Sequence, residues 1–315
     1  MVISVFFVLA SLVLLYFGAS WLVKGSSALA LKAGVSPLVA GLTVVAFGTS
    51  SPELVVSVNA AISGHGNIAV GNVVGSNLFN ICIILGISAI VSPLKIKMQL
   101  LKIDIPLLIV TTIGFMLIFA DRHISRFEGS ILVSGIVLYT ITTIILARRE
   151  KSAEVLAEFD ESVKDQMTKW YWSACLILLG LALLIAGSEL LVKGAVVIAR
   201  SLGVGETIIS LTIIAAGTSM PELASSIVAT IKKEYDIAIG NIIGSNIFNI
   251  LGIIGISSII RPLSAMAISN IDLYAMLGVT LLLLPFFRTS YTLKRDEGIF
   301  MIGLYLVYMY YLWPK

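Results

Sequence analysis

Charged residues are scarce in this sequence. Asp, Glu, Lys and Arg make up 12% of its 315 residues and hydrophobic residues 58%, whereas soluble domains average about 25% charged and about 45–50% apolar residues. A chain with so little charge argues against a soluble enzyme and against a nucleic-acid partner. Its mean hydropathy of +1.03 predicts an all-α integral membrane protein that lies in the lipid bilayer.

Cysteine, histidine and long hydrophilic segments are also few. Cys82 and Cys175 lie in apolar stretches and form no disulfide framework. His65 and His123 fall in loops, which excludes a histidine relay inside the membrane. The one long hydrophilic segment, 148–169, is too short to bury a core. We therefore predict a linker there, no enzymatic activity, no cofactor and no obligatory protein partner.

Ten stretches are long and apolar enough to cross a bilayer, which takes about 20 residues each. They are approximately 3–23, 35–61, 68–91, 103–120, 128–147, 173–192, 204–230, 237–260, 270–288 and 297–313.

Basic residues predict the orientation of these stretches. Loops after odd-numbered stretches hold 14 Lys and Arg residues and the other loops five, leaving aside Lys24 and Lys193 at helix ends. Positively charged loops stay in the cytoplasm. The prediction is a multi-pass protein of the cell membrane with 148–169 in the cytoplasm and both termini outside.

The two halves of the sequence repeat each other. Residues 18–81 align without a gap to 187–250 at a constant offset of 169. This predicts a first five-helix repeat at 1–147, the cytoplasmic linker 148–169 and a second five-helix repeat at 170–315. Because five is odd, the second repeat enters the membrane from the opposite face, and such inverted repeats carry their substrate site near the midplane.

A proline and a glutamate interrupt the second apolar stretch, in "GTSSPE". Pro52 lacks an N–H and disfavours helical geometry before it, so the pattern predicts a break at Gly48–Ser50. The hydroxyls of Thr49, Ser50 and Ser51 are available to cap the second half-helix. "GTSMPE" repeats the pattern before Glu222. A proline alone is often a plain kink, but a charged residue at a helix centre costs about 2.5–3.5 kcal/mol and indicates function.

The third helix of each repeat carries a matching polar face. In "GNVVGSNLFN", Asn72, Ser76 and Asn80 are four residues apart, and Gly71 and Gly75 form a smooth strip that predicts close helix packing. The second copy has Asn241, Ser245, Asn249, Gly240 and Gly244. Carboxylates, hydroxyls, amide oxygens and free carbonyls form an all-oxygen set, which suits hard cations such as Ca²⁺ or Na⁺.

These doubled motifs resemble the two alpha-repeats of the calcium/cation antiporter superfamily, in the sodium/calcium exchanger family, over essentially the whole chain. The short linker resembles that of the prokaryotic members. The resemblance implies ten transmembrane helices in two inverted five-helix repeats, alternating access, and transport of Ca²⁺ and Na⁺. It also implies ion ligands, with Glu53 and Glu222 shared by both ions. The remaining implied ligands are Thr49, Thr218, Ser50, Ser219, Ser76, Ser245, Asn80, Asn249, Ala46 and Ala215.

One position departs from the family pattern. Well-known sodium/calcium exchangers tend to have an Asp where this chain has Asn249, so the site holds two acids in place of three. The coupling ion therefore stays open between Na⁺, H⁺ and K⁺.

Three functions compete. An inverted repeat supplies the two gates of an antiporter, whereas a channel requires a continuous polar pore, and the polar residues here concentrate at one depth. An intramembrane hydrolase requires a water-activating pair and a substrate groove, which nothing else in the sequence indicates. The sequence favours an antiporter over the other two functions. The family resemblance implies exchange of Ca²⁺ for Na⁺, with an H⁺- or K⁺-coupled cation antiporter as the alternative.

Overall fold

The computed structural model describes residues 2–149, 170–203, 215–289 and 291–312. The predicted linker 148–169 and the start of the seventh apolar stretch, 204–214, lie almost entirely outside these residues. The regular secondary structure of the described chain is helical apart from four two-residue strands. Its helices are α1 (Val2–Ala33), α2 (Pro37–Thr49), α3 (Ser51–Ile62), α4 (Gly66–Val91), α5 (Leu100–Asp121), α6 (Arg126–Arg149), α7 (Trp170–Ser201), α8 (Ala215–Thr218), α9 (Met220–Ile231), α10 (Tyr235–Ile260), α11 (Asn270–Arg288) and α12 (Arg295–Leu312).

The prediction of an all-helical membrane protein is confirmed. Within the described residues, seven helices are long and apolar enough to cross a membrane, or eight when α2 and α3 count as one span bent by 46°. The sequence predicts ten spans, more than the seven or eight in the described residues, so the number ten stays a prediction. One of the shorter apolar helices is α9, which follows the residues that the structure does not describe.

Secondary structure follows the 169-residue offset. The breaks before α3 and α9 are equivalent, as are the starts of α4 and α10 and of α6 and α12. The strands are β1 (Leu94–Lys95), β2 (His123–Ile124), β3 (Leu263–Ser264) and β4 (Thr292–Leu293). β1 pairs antiparallel with β4, and β2 with β3. Each pairing therefore joins one half to the other, and exchanging the halves converts one pairing into the other.

The longest helices, α1 and α7, pack against each other in opposite directions. A Cβ on Gly18 would lie 2.9 Å from the Gly180 carbonyl oxygen, and one on Gly25 would lie 2.8 Å from that of Ser173. Contacts that advance along α1 therefore move backwards along α7. Only glycine allows backbones this close, so the small residues of α1 and α7 fix an antiparallel pair across the two halves.

Helices α4 and α10 form the centre of the fold. Their most apolar segments are 72% and 89% buried, against at most 39% in the other candidate spans. Each contains a π-helical turn, at Asn80–Ile84 and Asn249–Ile254. Such turns disturb the regular backbone pattern and often mark functional sites. The polar third helix of each predicted repeat is thus the most buried of the candidate spans in the described chain.

Candidate functional site

Two helix breaks bring the two glutamates into the protein interior. The first falls at Ser50, which separates α2 from α3, and the second at Ser219, which separates α8 from α9. Glu53 and Glu222 occupy the first turn of the helix after each break and are each 1% exposed. The predicted breaks are confirmed. The predicted capping by Ser50 is wrong, because its side chain makes no cap hydrogen bond.

The serine at each break instead contacts the glutamate of the other half. Ser50 Oγ donates to Glu222 Oε1 at 2.8 Å, and Ser219 Oγ donates to Glu53 Oε1 at 3.0 Å. These two bonds are equivalent under the 169-residue offset. The second carboxylate oxygen, Oε2, of both Glu53 and Glu222 is buried without a hydrogen-bond partner in the described structure. Each acid is thus held by one oxygen and presents the other.

Further predicted residues surround the Glu53 side of the site. Ser219 Oγ also lies 3.3 Å from Ser76 Oγ, and the Thr218 side chain interacts with Glu53. Because Ser219 contacts both Ser76 and Glu53, it joins α4 to the two broken helices. This places hydroxyls from α4 and α8 next to one carboxylate.

On the Glu222 side of the site, the Ala46 carbonyl oxygen accepts hydrogen bonds from two side chains. It accepts from Thr49 Oγ1 at 3.3 Å and from Ser245 Oγ at 3.5 Å. Its counterpart Ala215 begins α8, as Ala46 begins the last α-helical turn of α2. The structure therefore brings Ala46, Thr49 and Ser245 together, and it places Ala215 at the equivalent break.

Asn80 and Asn249 begin the π-helical turns of α4 and α10. Both are 1% exposed, and the turns pack against the helices that carry Glu222 and Glu53 respectively. Both polar side-chain atoms of Asn80, and Asn249 Oδ1, are buried without a partner among residues the structure covers. Buried polar atoms are normally paired, so the two unpartnered oxygens, Asn80 Oδ1 and Asn249 Oδ1, are available to a cation at this depth.

A second layer of asparagines supports the acids. Asn72 Nδ2 donates to the Glu53 carbonyl oxygen at 3.2 Å and to Ser57 Oγ at 2.9 Å. Asn241 Nδ2 donates to the Glu222 carbonyl oxygen at 3.4 Å, while its Oδ1 accepts from Thr49 Oγ1 at 3.1 Å. The sequence motif places both asparagines on the polar face, but their support of the backbone at the glutamates is a structural finding.

The chemistry of the site is that of a hard-cation site. All its unpaired acceptors are oxygens, which Ca²⁺ and Na⁺ prefer and soft metals do not. Throughout the described ranges, no three His, Cys, Asp or Glu side chains cluster as a metal site. The donors that the site offers are therefore two carboxylates and neutral oxygens, a set without the Cys and His ligands that zinc prefers.

Comparison with known proteins identifies the family. The profile of the sodium/calcium exchanger protein family matches residues 3–145 and 172–313. The chain belongs to the sodium/calcium exchanger protein family. Its relatives include a protein called CaxA from Alkalimonas amylolytica, 40% identical over 100% of both chains. The sodium/calcium exchanger MaX1 from Methanosarcina acetivorans is 30% identical over 96% of both.

A solved exchanger has the same fold. The structure of the sodium-calcium exchanger NCX_Mj soaked with Na⁺ and Ca²⁺ matches with a TM-score of 0.85 and 32% identity, covering 100% of both chains. Together with the family match, this supports a membrane cation antiporter, which is a transporter and not an enzyme. The predicted resemblance to this family is confirmed.

Two cavities of this protein reach the site from one side. One of about 450 Å³ lies between α3 and α7 and reaches Thr218; the other, of about 270 Å³, reaches Ser76 and Asp272. Their lining residues Val55 and Gly71 lie on the α3 and α4 segments that lead to and from the connection at 63–65. Both cavities are therefore lined by residues that lie between the site and that connection.

Glycine packing tests the predicted close approach in one half. A Cβ on Gly240 would lie 2.7 Å from the Leu38 carbonyl oxygen, and one on Gly244 would lie 2.5 Å from that of Leu42. A Cβ on Gly75 would meet no atom of a neighbouring described element within 4 Å, and one on Gly71 would lie 3.5 Å from the Ile268 side chain. The expected close approach is confirmed for α10. For α4 it stays a prediction, because the equivalents of Leu38 and Leu42 at the 169-residue offset, Thr207 and Leu211, lie outside the described residues.

Proposed function

We propose that this chain exchanges Ca²⁺ for Na⁺ across the cell membrane by alternating access at the Glu53–Glu222 site. The observation that carries the proposal is the reciprocal pair of serine–glutamate bonds, with one free oxygen on each acid. When the two halves move relative to each other, a site that both halves form changes its access to both faces of the membrane. This is what an exchanger requires, because one site then serves both faces of the membrane in turn.

Charge couples the two ions at this site. At an effective dielectric near 20, two unit charges about 4 Å apart attract by about 4 kcal/mol, so each carboxylate attracts a divalent ion about twice as strongly, before desolvation. Two carboxylates carry the charge that one Ca²⁺ neutralises. Ca²⁺ and Na⁺ therefore compete for Glu53 and Glu222, and the neutral oxygens of the other ten predicted ligands complete their coordination.

The proposed architecture is ten spans in two inverted repeats, residues 1–147 and 170–315, joined by the cytoplasmic linker 148–169. Two observations support this architecture: the antiparallel packing of α1 against α7, and the pairing of each β-strand with a strand of the other half. Thiol labelling of intact cells should modify Ser63→Cys and spare Met98→Cys if both termini are external. The reverse pattern would invert the proposed topology.

Liposome transport tests the exchange itself. We expect Ca²⁺ uptake by reconstituted protein to require an outward Na⁺ gradient and to fail with a K⁺ gradient or a pH gradient alone. The similar protein NCX_Mj is a sodium-calcium exchanger whose structures include one soaked with Na⁺ and Ca²⁺, which supports Na⁺ as the coupling ion here. If a gradient of H⁺ or K⁺ drives the Ca²⁺ uptake, that ion and not Na⁺ is the coupling ion. Ca²⁺ uptake that is independent of any gradient would indicate a channel.

A further inference from the structure

Four buried asparagines occupy equivalent positions on the two central helices. Asn77 and Asn80 lie on α4, and Asn246 and Asn249 lie on α10 at the 169-residue offset; all four are at most 1% exposed. The sequence motifs single out Asn80 and Asn249 as ligands. The other two lie three residues earlier, within the same motifs, and have no assigned role.

One of the two possible cross-helix pairs is formed. Asn249 Nδ2 donates to Asn77 Oδ1 at 3.0 Å, and Asn77 Nδ2 donates to the Asn246 carbonyl oxygen at 3.4 Å. The second bond orients the Asn77 amide, since its NH₂ faces a carbonyl and its oxygen is left to accept. Asn249 consequently presents its NH₂ to Asn77, and its Oδ1 lies on the other side of the amide.

The equivalent pair is not formed. Asn246 Nδ2 donates to the Ile242 carbonyl oxygen of its own helix at 2.7 Å. Asn246 Oδ1 and both polar side-chain atoms of Asn80 are buried without a partner in the described part of the chain. The two predicted ligands, which are equally buried, thus differ in one respect. Asn249 has its amide oriented by an asparagine of the other central helix, and Asn80 does not.

Resting on the proposed ion site, we propose that Asn77 is a positioning residue that holds the Asn249 amide with its oxygen towards the ions. An amide has one acceptor atom and one donor group. Only the oxygen coordinates a cation, and a rotated amide would direct its positively polarised NH₂ at the ions. Asn77 prevents this rotation, as outer residues orient metal ligands elsewhere.

Calcium binding to the purified full-length protein tests this role. Calorimetry should find Ca²⁺ affinity about tenfold weaker in Asn77→Ala, as is typical when an orienting partner is removed. Asn77→Leu, which keeps more of the side-chain volume, should give the same loss. The matched control is Asn246→Ala, equally buried but bonded to its own helix, which should change affinity less than about twofold.

A second background separates orientation from packing. In Asn249→Asp both terminal atoms are oxygens, so rotation of that side chain no longer matters, and adding Asn77→Ala should cost less than about twofold. An equal loss in both backgrounds would assign Asn77 a packing role and overturn the proposal. So would unchanged affinity in both Asn77→Ala and Asn77→Leu.

Glu53→Gln measured in the same assay keeps the two proposals apart. If Glu53→Gln loses Ca²⁺ binding while the Asn77 variants do not, the ion site stands and the positioning role is wrong. If Glu53→Gln binds Ca²⁺ like the parent, the ion site itself is wrong, and the positioning role is overturned with it.

Discussion

Two equivalent helix contacts differ between the halves of the molecule. On one side of the site, α1 packs directly on α9, where Leu22 and Val23 share a buried apolar cluster with Val228 and Ala229. On the other side, the equivalent helices α7 and α3 are separated by the cavity of about 450 Å³. The sequence repeat would allow both contacts to be closed or both to be open, but the structure has one of each.

Under the proposed alternating-access mechanism, this difference corresponds to one state of the transport cycle. A site closed on one side and reached by cavities from the other is half of an alternating-access cycle. If the two halves form the proposed inverted repeat, the other half of the cycle is obtained when they exchange conformations. The contrast between α1–α9 and α7–α3 therefore predicts which residues become accessible when the protein changes state, and variants at equivalent positions test it.

The largest loss of transport is expected at the two glutamates, where equivalent variants of the two halves should have the same effect. Glu53→Gln and Glu222→Gln should each lower Ca²⁺ exchange in liposomes by about a hundredfold or more, because each removes a full charge from the shared site. Ser76→Ala and Ser245→Ala should lower it less, since a hydroxyl contributes less than a carboxylate.

The double variant sharpens this prediction. Glu53→Gln combined with Glu222→Gln should be little worse than either single variant, because one neutralised half already disables a shared site. Substantial exchange by Glu53→Gln alone would contradict a site shared between the halves. Losses that add independently would indicate two separate sites.

Accessibility should differ strongly between Val23 and Val192, which are equivalent residues on α1 and α7. Val23 is 1% exposed, whereas Val192 lines the 450 Å³ cavity. In a background lacking Cys82 and Cys175, a polar thiol reagent should label Val192→Cys at least about tenfold faster than Val23→Cys in the sodium-free protein.

The contrast also predicts a response to ions. If ions change the population of the two states, labelling at Val192→Cys and Val23→Cys should change in opposite directions. Equal labelling rates under all conditions would show that the difference between the two contacts is not a feature of the protein in solution.

The sequence predicted those parts of the site that depend on local residue order and on the internal repeat. The breaks at Ser50 and Ser219 follow from Pro52 and Pro221, and the joining of the halves follows from the repeat. Other features depend on tertiary structure. The use of Ser50 to bond Glu222 instead of capping its own helix, and the Asn77–Asn249 pair, require knowledge of which helices meet. The π-helical turn at Asn249 has no sequence signature that we recognise.

Glycine substitutions should have a moderate and unequal effect. A Cβ at Gly244 would lie 2.5 Å from the Leu42 carbonyl oxygen, and Gly75 has no such neighbour in the described residues. Overpacking costs about 1–3 kcal/mol, so Gly244→Ala should lower the melting temperature in detergent by several degrees. Gly75→Ala, its matched control, should leave it unchanged or raise it slightly, since alanine favours helix. Equal destabilisation would mean that α4 packs as tightly as α10.

The smallest effect is expected at the closed side, where Lys232 contacts α1. Its Nζ donates to Ser20 Oγ at 2.6 Å and to the Ser20 carbonyl oxygen at 3.3 Å. Partial burial, followed by the charge of Lys24, lowers the pKa of Lys232, so repulsion from Lys24 offsets part of the stabilisation. Lys232→Met should therefore weaken the α1–α9 contact only slightly and raise labelling of Val23→Cys about two- to threefold, in keeping with the small contribution of exposed charged contacts.

Lys233→Met is the control for this variant, because it removes the same charge from the neighbouring residue. It should leave the labelling of Val23→Cys at the parent rate. An increase of the same size in both variants would assign the effect to net charge in the 232–234 connection. No increase in either would mean that the apolar cluster of Leu22, Val23, Val228 and Ala229 closes this side without help from Lys232.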